Sequence, residues 1–152
     1  CNKVSGAVTA SPLPGRPVPV PDAGSEEFWK AAARHQLAIA QCGRCGTYSH
    51  PPDVVVCAAC GSIEPDFHFS PVSGGGQVRS WTVIRRALLP GFANDIPFRL
   101  VDVELDEQQG LRITGRLLDG MDAPLALGAR VQAAFEDIAP GVAVPAFRLA
   151  GS

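Results

Sequence analysis

Residues 38–62 read AIAQCGRCGTYSHPPDVVVCAACGS and contain four of the five cysteines of this 152-residue chain. The cysteines form two C-x-x-C pairs, Cys42 with Cys45 and Cys57 with Cys60, and a glycine follows each pair. Two-residue spacing lets both sulfurs of a pair approach one ion, and the glycine allows the backbone to turn back. Four thiolates complete a tetrahedral shell, which is typical of a structural site. The spacing therefore predicts one structural metal ion, zinc or, in a rubredoxin-like variant, iron.

Other interpretations of these residues are weaker. A pair of redox-active or buried dithiols would require two accidental C-x-x-C-G repeats. His50 is a candidate ligand, but four cysteines already fill the shell, so we interpret it as a loop residue before Pro51 and Pro52. Cys1 stands alone and is assigned no role.

The opening residues lack the apolar core of a signal peptide, and no apolar run approaches the roughly 20 residues that cross a bilayer, so we expect a cytoplasmic, soluble protein with no membrane partner.

The sequence before the cysteines divides into two segments. Residues 1–24 are rich in proline, which predicts a Pro-rich linker or arm, either a disordered tail or a segment that lies on a partner. Residues 25–37, SEEFWKAAARHQL, predict a helix with Ser25 as N-cap. Phe28 and Trp29 point about 100° apart on such a helix. We expect one of them, Trp29, to be exposed or in a partner interface; the alternative is that both close over the junction between ribbon and barrel.

The remainder, residues 74–152, changes to a strand pattern. VRSWTVIRR, PFRLVDVELD, GLRITGRLL, ARVQAAFED and PAFRLA are five short segments rich in strand-forming residues, which predict a small closed or partly open barrel. The run Gly74–Gly76 precedes a strand rather than a helix, so we interpret it as a hinge and not as a phosphate cradle. The chain is thus predicted to be α+β and mostly β, with a linker or arm (1–24), a helix with the zinc ribbon (25–73) and a barrel (74–152).

Catalytic motifs are not found in the sequence. It has no G-x-S-x-G elbow, Walker loop, H-E-x-x-H or dinucleotide-binding glycine motif. Asp102, Glu104 and Asp106 alternate on one predicted strand, which is the usual pattern of a solvated face. We therefore predict no catalytic residue. The formal net charge of −2 argues against a protein that binds nucleic acid mainly through phosphates.

Most of the positive charge comes from arginine. Arginine offers a planar fork for phosphates and carboxylates, so a cluster on one barrel face could contact a phosphorylated ligand such as a CoA tail, or an acidic partner. The alternative is that these are ordinary exposed strand arginines. The candidates lie in or beside the predicted barrel strands: Arg79, Arg85, Arg86, Arg99, Arg112 and Arg116.

The order of these parts resembles a known family. A helix with FW, C-x-x-C-G, PP, C-x-x-C-G, a Gly-rich segment into SWTV, PFRLVDVELD and GRLLD follow one another over about residues 25–150. This resembles the small zinc-ribbon plus OB-fold proteins described as acyl-CoA-associated, a domain of unknown function. The resemblance implies a rubredoxin-like ribbon followed by a five-stranded OB-fold barrel.

The resemblance also implies a function. Members associate with thiolase-like enzymes that act on acyl-CoA, and some are fused to an enoyl-CoA hydratase domain. One branch pairs with a lipid-transfer-protein-type thiolase homologue to form a retro-aldolase in steroid side-chain degradation; a stand-alone branch bridges thiolase and hydroxymethylglutaryl-CoA synthase. The Pro-rich start resembles the linker of a fused member. We therefore expect a non-catalytic accessory subunit of an acyl-CoA-processing complex, with a CoA thioester as a candidate ligand. The alternative, an OB-fold protein that binds single-stranded nucleic acid, is disfavoured by the few aromatics and the slight negative charge.

Overall fold

One helix, a three-stranded sheet and a five-stranded closed barrel are seen in a computed structural model, which describes residues 15–51 and 55–151. Cys1, Pro52 and the first fourteen residues of the predicted arm lie outside this range. No helix in the described part is long and apolar enough to cross a membrane. The elements follow in this order: α1 (Glu26–Ala33), β1 (Ala38–Cys42), β2 (Tyr48–Ser49), β3 (Phe67–Pro71), β4 (Gly75–Ile84), β5 (Phe98–Leu105), β6 (Arg112–Leu117), β7 (Arg130–Ala139) and β8 (Val142–Leu149).

Helix α1 is shorter than predicted and is capped differently. The Ser25 hydroxyl makes no hydrogen bond to a backbone N–H of the first turn; it donates to the Asp22 carboxylate at 2.5 Å. Ser25 is thus the N-cap residue, as predicted, but its side chain does not make the capping hydrogen bond. The helix ends at Ala33 rather than at Leu37, and His35 then adopts a left-handed backbone with φ of 55°. This residue turns the chain out of the helix and into β1.

The small sheet has β1 at its centre, paired antiparallel with β2 on one side and β3 on the other. Because both edges of β1 are paired, its residues are mostly buried, and Ile39 is fully so. Strand β1 ends at Cys42, which is where the first cysteine pair begins. The hydrogen-bonded sheet thus positions the first knuckle.

The predicted five-stranded barrel is confirmed. Its strand order is β4-β5-β6-β8-β7, and β7 pairs again with β4 to close it. All pairs are antiparallel except β6 with β8, which are parallel. The alternation read from GLRITGRLL is also confirmed, because Leu111, Ile113 and Leu117 are buried while Arg112 and Thr114 are exposed.

The three glycines at the start of the barrel form a packed junction rather than the predicted hinge, and Gly75 and Gly76 already belong to β4. A Cβ on Gly76 would lie 2.5 Å from the Glu104 carbonyl oxygen, so a side chain there would clash with β5. The Gly74 carbonyl accepts a hydrogen bond of 2.8 Å from the Ala133 N–H. The buried cluster of the barrel also continues into the ribbon through Phe28 and Ile39. Small residues are needed here for close strand approach.

Candidate metal centre and the arginine face of the barrel

The two cysteine knuckles have the same backbone geometry. In the first, the Cys42 N–H donates to the Thr47 carbonyl at 3.0 Å and the Gly46 N–H donates to the Cys42 carbonyl at 2.8 Å. Gly46 has φ of 75°, which favours glycine. The second knuckle repeats both bonds at 3.0 and 2.8 Å and has φ of 70° at its glycine, with Cys57, Ser62 and Gly61 in the equivalent places. The sequence repeat thus corresponds to a structural repeat.

The four predicted cysteines form one cluster. All four Sγ atoms lie within 4.8 Å of one another, and Cys45 Sγ is 3.7 Å from Cys57 Sγ. A tetrahedral ion with metal–sulfur bonds of about 2.3 Å would separate its sulfurs by about 3.8 Å. Cys42 and Cys57 are buried, whereas Cys45 and Cys60 are exposed. The donor set therefore fits one structural metal ion at the edge of the small sheet.

The titration of the exposed thiols agrees with a cation at this position. The Thr47 side chain and backbone lower the pKa of the Cys45 thiol to about 6, which favours the thiolate that a metal requires. At Cys60 a backbone hydrogen bond from Ser62 lowers the pKa, but desolvation and the hydrogen bonds with the other three thiols outweigh it and raise the pKa to about 11. Four thiolates cannot ionise together without a compensating positive charge.

His50 is outside this cluster. Its ring lies 5.4 Å from the Phe28 ring, and burial lowers the pKa of its imidazole. Phe28 is 8% exposed, while Trp29 is half-buried and stands edge-on to Phe28 at 5.0 Å. Trp29 also lines a shallow groove with Pro19 and Pro21 of the arm. Its role as a partner anchor stays a prediction.

The acidic residues of β5 and the turn after it are paired with arginines. Asp102 accepts two hydrogen bonds from Arg112, and Arg79 lies 3.8 Å from Glu104. Asp106, the third of these carboxylates, is contacted by both terminal nitrogens of a strand β7 arginine, which lowers the pKa of its carboxyl. A carboxyl whose pKa is lowered in this way, as that of Asp106 is, is a poor general acid. The pairing also removes two of the predicted arginines, Arg79 and Arg112, from the set with unpaired charge.

The other candidate arginines have different surroundings. Arg116 pairs with Glu136 at 3.4 Å and with Asp95 at 3.7 Å. Arg85 and Arg86 follow β4, are exposed, and form no ion pair with any carboxylate of the described residues. Among the candidate arginines, these two neighbours lie unpaired at one loop, and the described barrel has no continuous basic face.

Arg16 is a buried residue that the sequence did not single out. Its side chain is 3% exposed and pairs with Asp95 and, at 3.5 Å, with Glu136. Its guanidinium also lies over the Phe92 ring, 4.4 Å from the centroid. The described end of the arm is therefore docked on the barrel of its own chain. The one sequence signal was an arginine among prolines, which by itself does not indicate burial.

A groove lies beside this ion-pair group on the outer face of the barrel. It has a volume of about 430 Å³, and Thr114 and Arg116 of β6 lie at its base. We call it the loop groove, because the segment between β4 and β5 forms one wall. Its apolar lining is mainly Ile84, Leu88, Leu89, Phe92, Phe98 and Leu100.

Two family models match the chain. The one described as the rubredoxin-like zinc ribbon domain of ChsH2 matches residues 29–65, and the one described as the C-terminal OB-fold domain of ChsH2 matches residues 70–136. Together they cover the ribbon with its four cysteines and most of the barrel.

Two curated proteins are similar in sequence. A DUF35 domain-containing scaffold protein of Methanocaldococcus jannaschii is 30% identical over 105 residues, which cover 69% of this chain and 71% of that protein. The alpha subunit of 3-oxo-4,17-pregnadiene-20-carboxyl-CoA hydratase of Mycobacterium tuberculosis is 32% identical over 110 residues. The match covers 72% of this chain but 33% of that subunit, so this chain corresponds to one part of a longer protein.

Solved structures also match. A chain of the Ltp2-ChsH2(DUF35) aldolase has a TM-score of 0.75 and 28% identity, with 88% of this chain and 99% of that chain covered. A DUF35-family protein of unknown function from Sulfolobus solfataricus has a TM-score of 0.53 and 14% identity, with 84% and 86% covered. The second likeness shows the shared fold alone.

Proposed function

The chain belongs to the DUF35 family of zinc-ribbon and OB-fold proteins, and on this premise we propose that it is an accessory subunit of an acyl-CoA-processing complex. Its partner would be a thiolase-like enzyme of the lipid-transfer-protein type. The observation that carries this proposal is the match over 88% of the chain, at a TM-score of 0.75, to a chain of the Ltp2-ChsH2(DUF35) aldolase. A likeness along nearly the whole chain supports a similar role in assembly more strongly than a shared motif would.

The reaction we propose for the complex is retro-aldol cleavage in steroid side-chain degradation. The support is the similarity to a subunit named as a hydratase of a pregnadiene carboxyl-CoA. Hydration of an enoyl-CoA gives a β-hydroxyacyl-CoA, and a β-hydroxy carbonyl compound is the kind of substrate that a retro-aldol reaction cleaves. The two activities would therefore be consecutive.

This chain would not supply the chemistry. The carboxylates of β5 and its following turn are paired with arginines, and the cysteine cluster fits a closed metal site with no open position for substrate. The partner's cysteine and histidine would act on the substrate. The exposed arginines beside the barrel would contact the CoA thioester or an acidic surface of the partner, since a guanidinium binds phosphates and carboxylates alike.

We also propose that the metal is zinc rather than iron. A closed set of four cysteines in two C-x-x-C pairs is a common structural zinc site, and zinc needs no redox chemistry to stabilise a fold. The proposed parts remain an arm (1–24), the helix and ribbon (25–73) and the OB-fold (74–152). Because the buried cluster continues across residue 73, ribbon and barrel would act as one rigid unit.

The experiment is to purify the chain with and without a thiolase-like protein from the same organism and to assay carbon–carbon cleavage of a steroid β-hydroxyacyl-CoA. We expect a stable complex on size exclusion, cleavage by the complex, and none by this chain alone. Turnover by the pure isolated chain would overturn the accessory role. Complex formation without cleavage of any steroid thioester would overturn the steroid assignment and leave the accessory role standing.

A further inference from the structure

We propose that the loop groove docks a segment of the partner protein in which an apolar side chain is flanked by carboxylates. This inference rests on the proposed function, since it assigns a surface to the thiolase-like partner. It is carried by the placement of exposed leucines, a preformed wall and unpaired arginines at one edge of the barrel.

Two large exposed apolar residues are neighbours on the segment between β4 and β5. Leu88 is 84% exposed and Leu89 is 57% exposed, although both line the same groove. Behind them Ile84, Phe98 and Leu100 form a continuous apolar surface. Scattered exposed apolar residues are ordinary, but neighbouring leucines beside an apolar groove are typical of a protein interaction site.

The wall of the groove is held in place before any partner binds. Asp95 and Phe92 belong to the segment between β4 and β5, and both contact Arg16. Arg16 also reaches Glu136 of β7 at 3.5 Å, so it ties the segment to the barrel. A preformed groove loses less conformational entropy on binding than a loop that must first become ordered.

The charge at the rim selects the kind of partner. Arg16 and Arg116 are compensated by the two carboxylates between them, Asp95 and Glu136. Arg86 lines the groove and Arg85 precedes it in the chain, and neither has a carboxylate partner in the described part of the chain, so the charge at this end of the groove is positive. Carboxylates on the partner would complement it and would speed association. A second copy of this chain would instead bring the same two arginines into opposition across a two-fold axis.

A single-stranded nucleic acid fits this surface less well. Its bases need open aromatic faces on which to stack. Here Arg16 covers one face of Phe92 at 4.4 Å, and Arg116 covers one face of Phe98 at 4.8 Å. The two rings also lean on each other, with centroids 5.8 Å apart. The groove therefore favours an aliphatic or aromatic side chain from a protein over a stacked base.

The test compares exposed leucines inside and outside the groove. We expect the double variant Leu88→Asp/Leu89→Asp to bind the purified thiolase-like partner at least tenfold more weakly than the unsubstituted chain by calorimetry. The control is Leu127→Asp, because Leu127 is 70% exposed but does not line the groove. It should bind within about twofold of the unsubstituted chain. All three proteins should keep the same metal content and melting temperature, which shows that the fold is intact.

A second pair of variants tests the charge. Arg86→Glu should weaken binding several-fold at low salt and less at high salt, because screening reduces the contribution of a rim charge. Arg148→Glu replaces an exposed arginine of β8 outside the groove lining and should change binding little. A partner that binds both groove variants as tightly as the controls would overturn the docking site while the accessory role stands.

Three other outcomes would also overturn the inference. If the unsubstituted chain binds no thiolase-like protein, both the proposed function and the docking site fail. If the chain dimerises and Leu88→Asp/Leu89→Asp abolishes the dimer, the groove belongs to a second copy. If a fluorescent single-stranded oligonucleotide binds and Arg86→Glu abolishes that binding, the surface is a nucleic-acid site.

Discussion

The ribbon and the barrel present their functional residues in opposite ways. In the ribbon, two cysteine pairs, each closed by a short turn, come together as one cluster with Sγ atoms within 4.8 Å of one another. On the barrel, arginines of similar prominence in the sequence are scattered among individual carboxylates. Spacing within a turn determines whether side chains meet, but side chains on different strands meet only as register and loops permit. A site built by local spacing can therefore be read from a sequence, and a site built by strand pairing cannot.

Loss of one metal ligand should have the largest effect of any single change. Cys57→Ser should reduce metal content well below one equivalent and destabilise the fold by about 4 kcal/mol or more, because binding energy at a structural metal site is folding energy. The measurements are metal analysis and thermal unfolding, in which we expect the melting temperature to fall by about 10 °C or more.

The control for that experiment is Cys1→Ser, since the sequence pairs Cys1 with no other cysteine and assigns it no part in the four-cysteine site. It should leave both metal content and melting temperature unchanged. If the two variants had the same metal content and the same melting temperature, the four-cysteine site would be contradicted. The contrast between ribbon and barrel would then fail with it.

Arg16→Ala should have the next largest effect, and it tests the buried charge group formed by Arg16, Asp95 and Glu136. The change leaves Asp95 and Glu136 with a single remaining arginine partner, and both carboxylates are mostly covered. We expect a destabilisation of about 2–3 kcal/mol, below the value for a fully buried pair because the carboxylates keep some solvent. Urea unfolding measures it.

Arg148→Ala is the matched control, because Arg148 is exposed on β8. A surface substitution of this kind should change stability by no more than about 0.5 kcal/mol. If Arg16→Ala were as mild, the arm would be a free linker and the loop groove would lack its support.

Gly76→Ala examines the junction between the two regions. The new Cβ would meet the Glu104 carbonyl oxygen at 2.5 Å, so β4 and β5 must separate, at a cost of about 2 kcal/mol. Gly151→Ala is the control, since nothing lies within 4 Å of a Cβ there. A Gly76→Ala protein with unchanged stability would restore the hinge interpretation of this segment.

The smallest effect is a pH dependence at His50. Burial holds the pKa of its imidazole below the ordinary 6.5, so as pH falls through 6.5 the unfolded chain takes up a proton that the folded chain resists. Stability should therefore decline below about pH 6.5, and less steeply in His50→Gln. The difference between the two melting curves from pH 7.5 to 5.5 isolates this residue, because thiol protonation affects both proteins alike. Parallel curves would mean that His50 is solvated.

Several features followed directly from the sequence. The approach of the four cysteines, the five barrel strands and the burial of Leu111, Ile113 and Leu117 were all predicted and confirmed. They depend on two local signals, turn spacing and the alternation of side chains along a strand. A local signal gives only part of the answer at Ser25, which is the predicted N-cap residue but donates its hydroxyl to Asp22 instead of accepting from the helix backbone.

The described end of the Pro-rich arm and the loop groove depended on long-range contacts instead. Arg16 meets Asp95 and Glu136, which are 79 and 120 residues away along the chain, and no pattern around Arg16 indicates either partner. Likewise, the strand register places Asp102 beside Arg112 and so neutralises it, whereas the path of the loop leaves Arg86 unpaired. The residues next to these two arginines in the sequence do not determine either outcome. The spacing within each cysteine pair covers only a few bonds, so it predetermines the two knuckles of the metal site. Ion pairs between distant segments form only after the barrel has closed and brought those segments together.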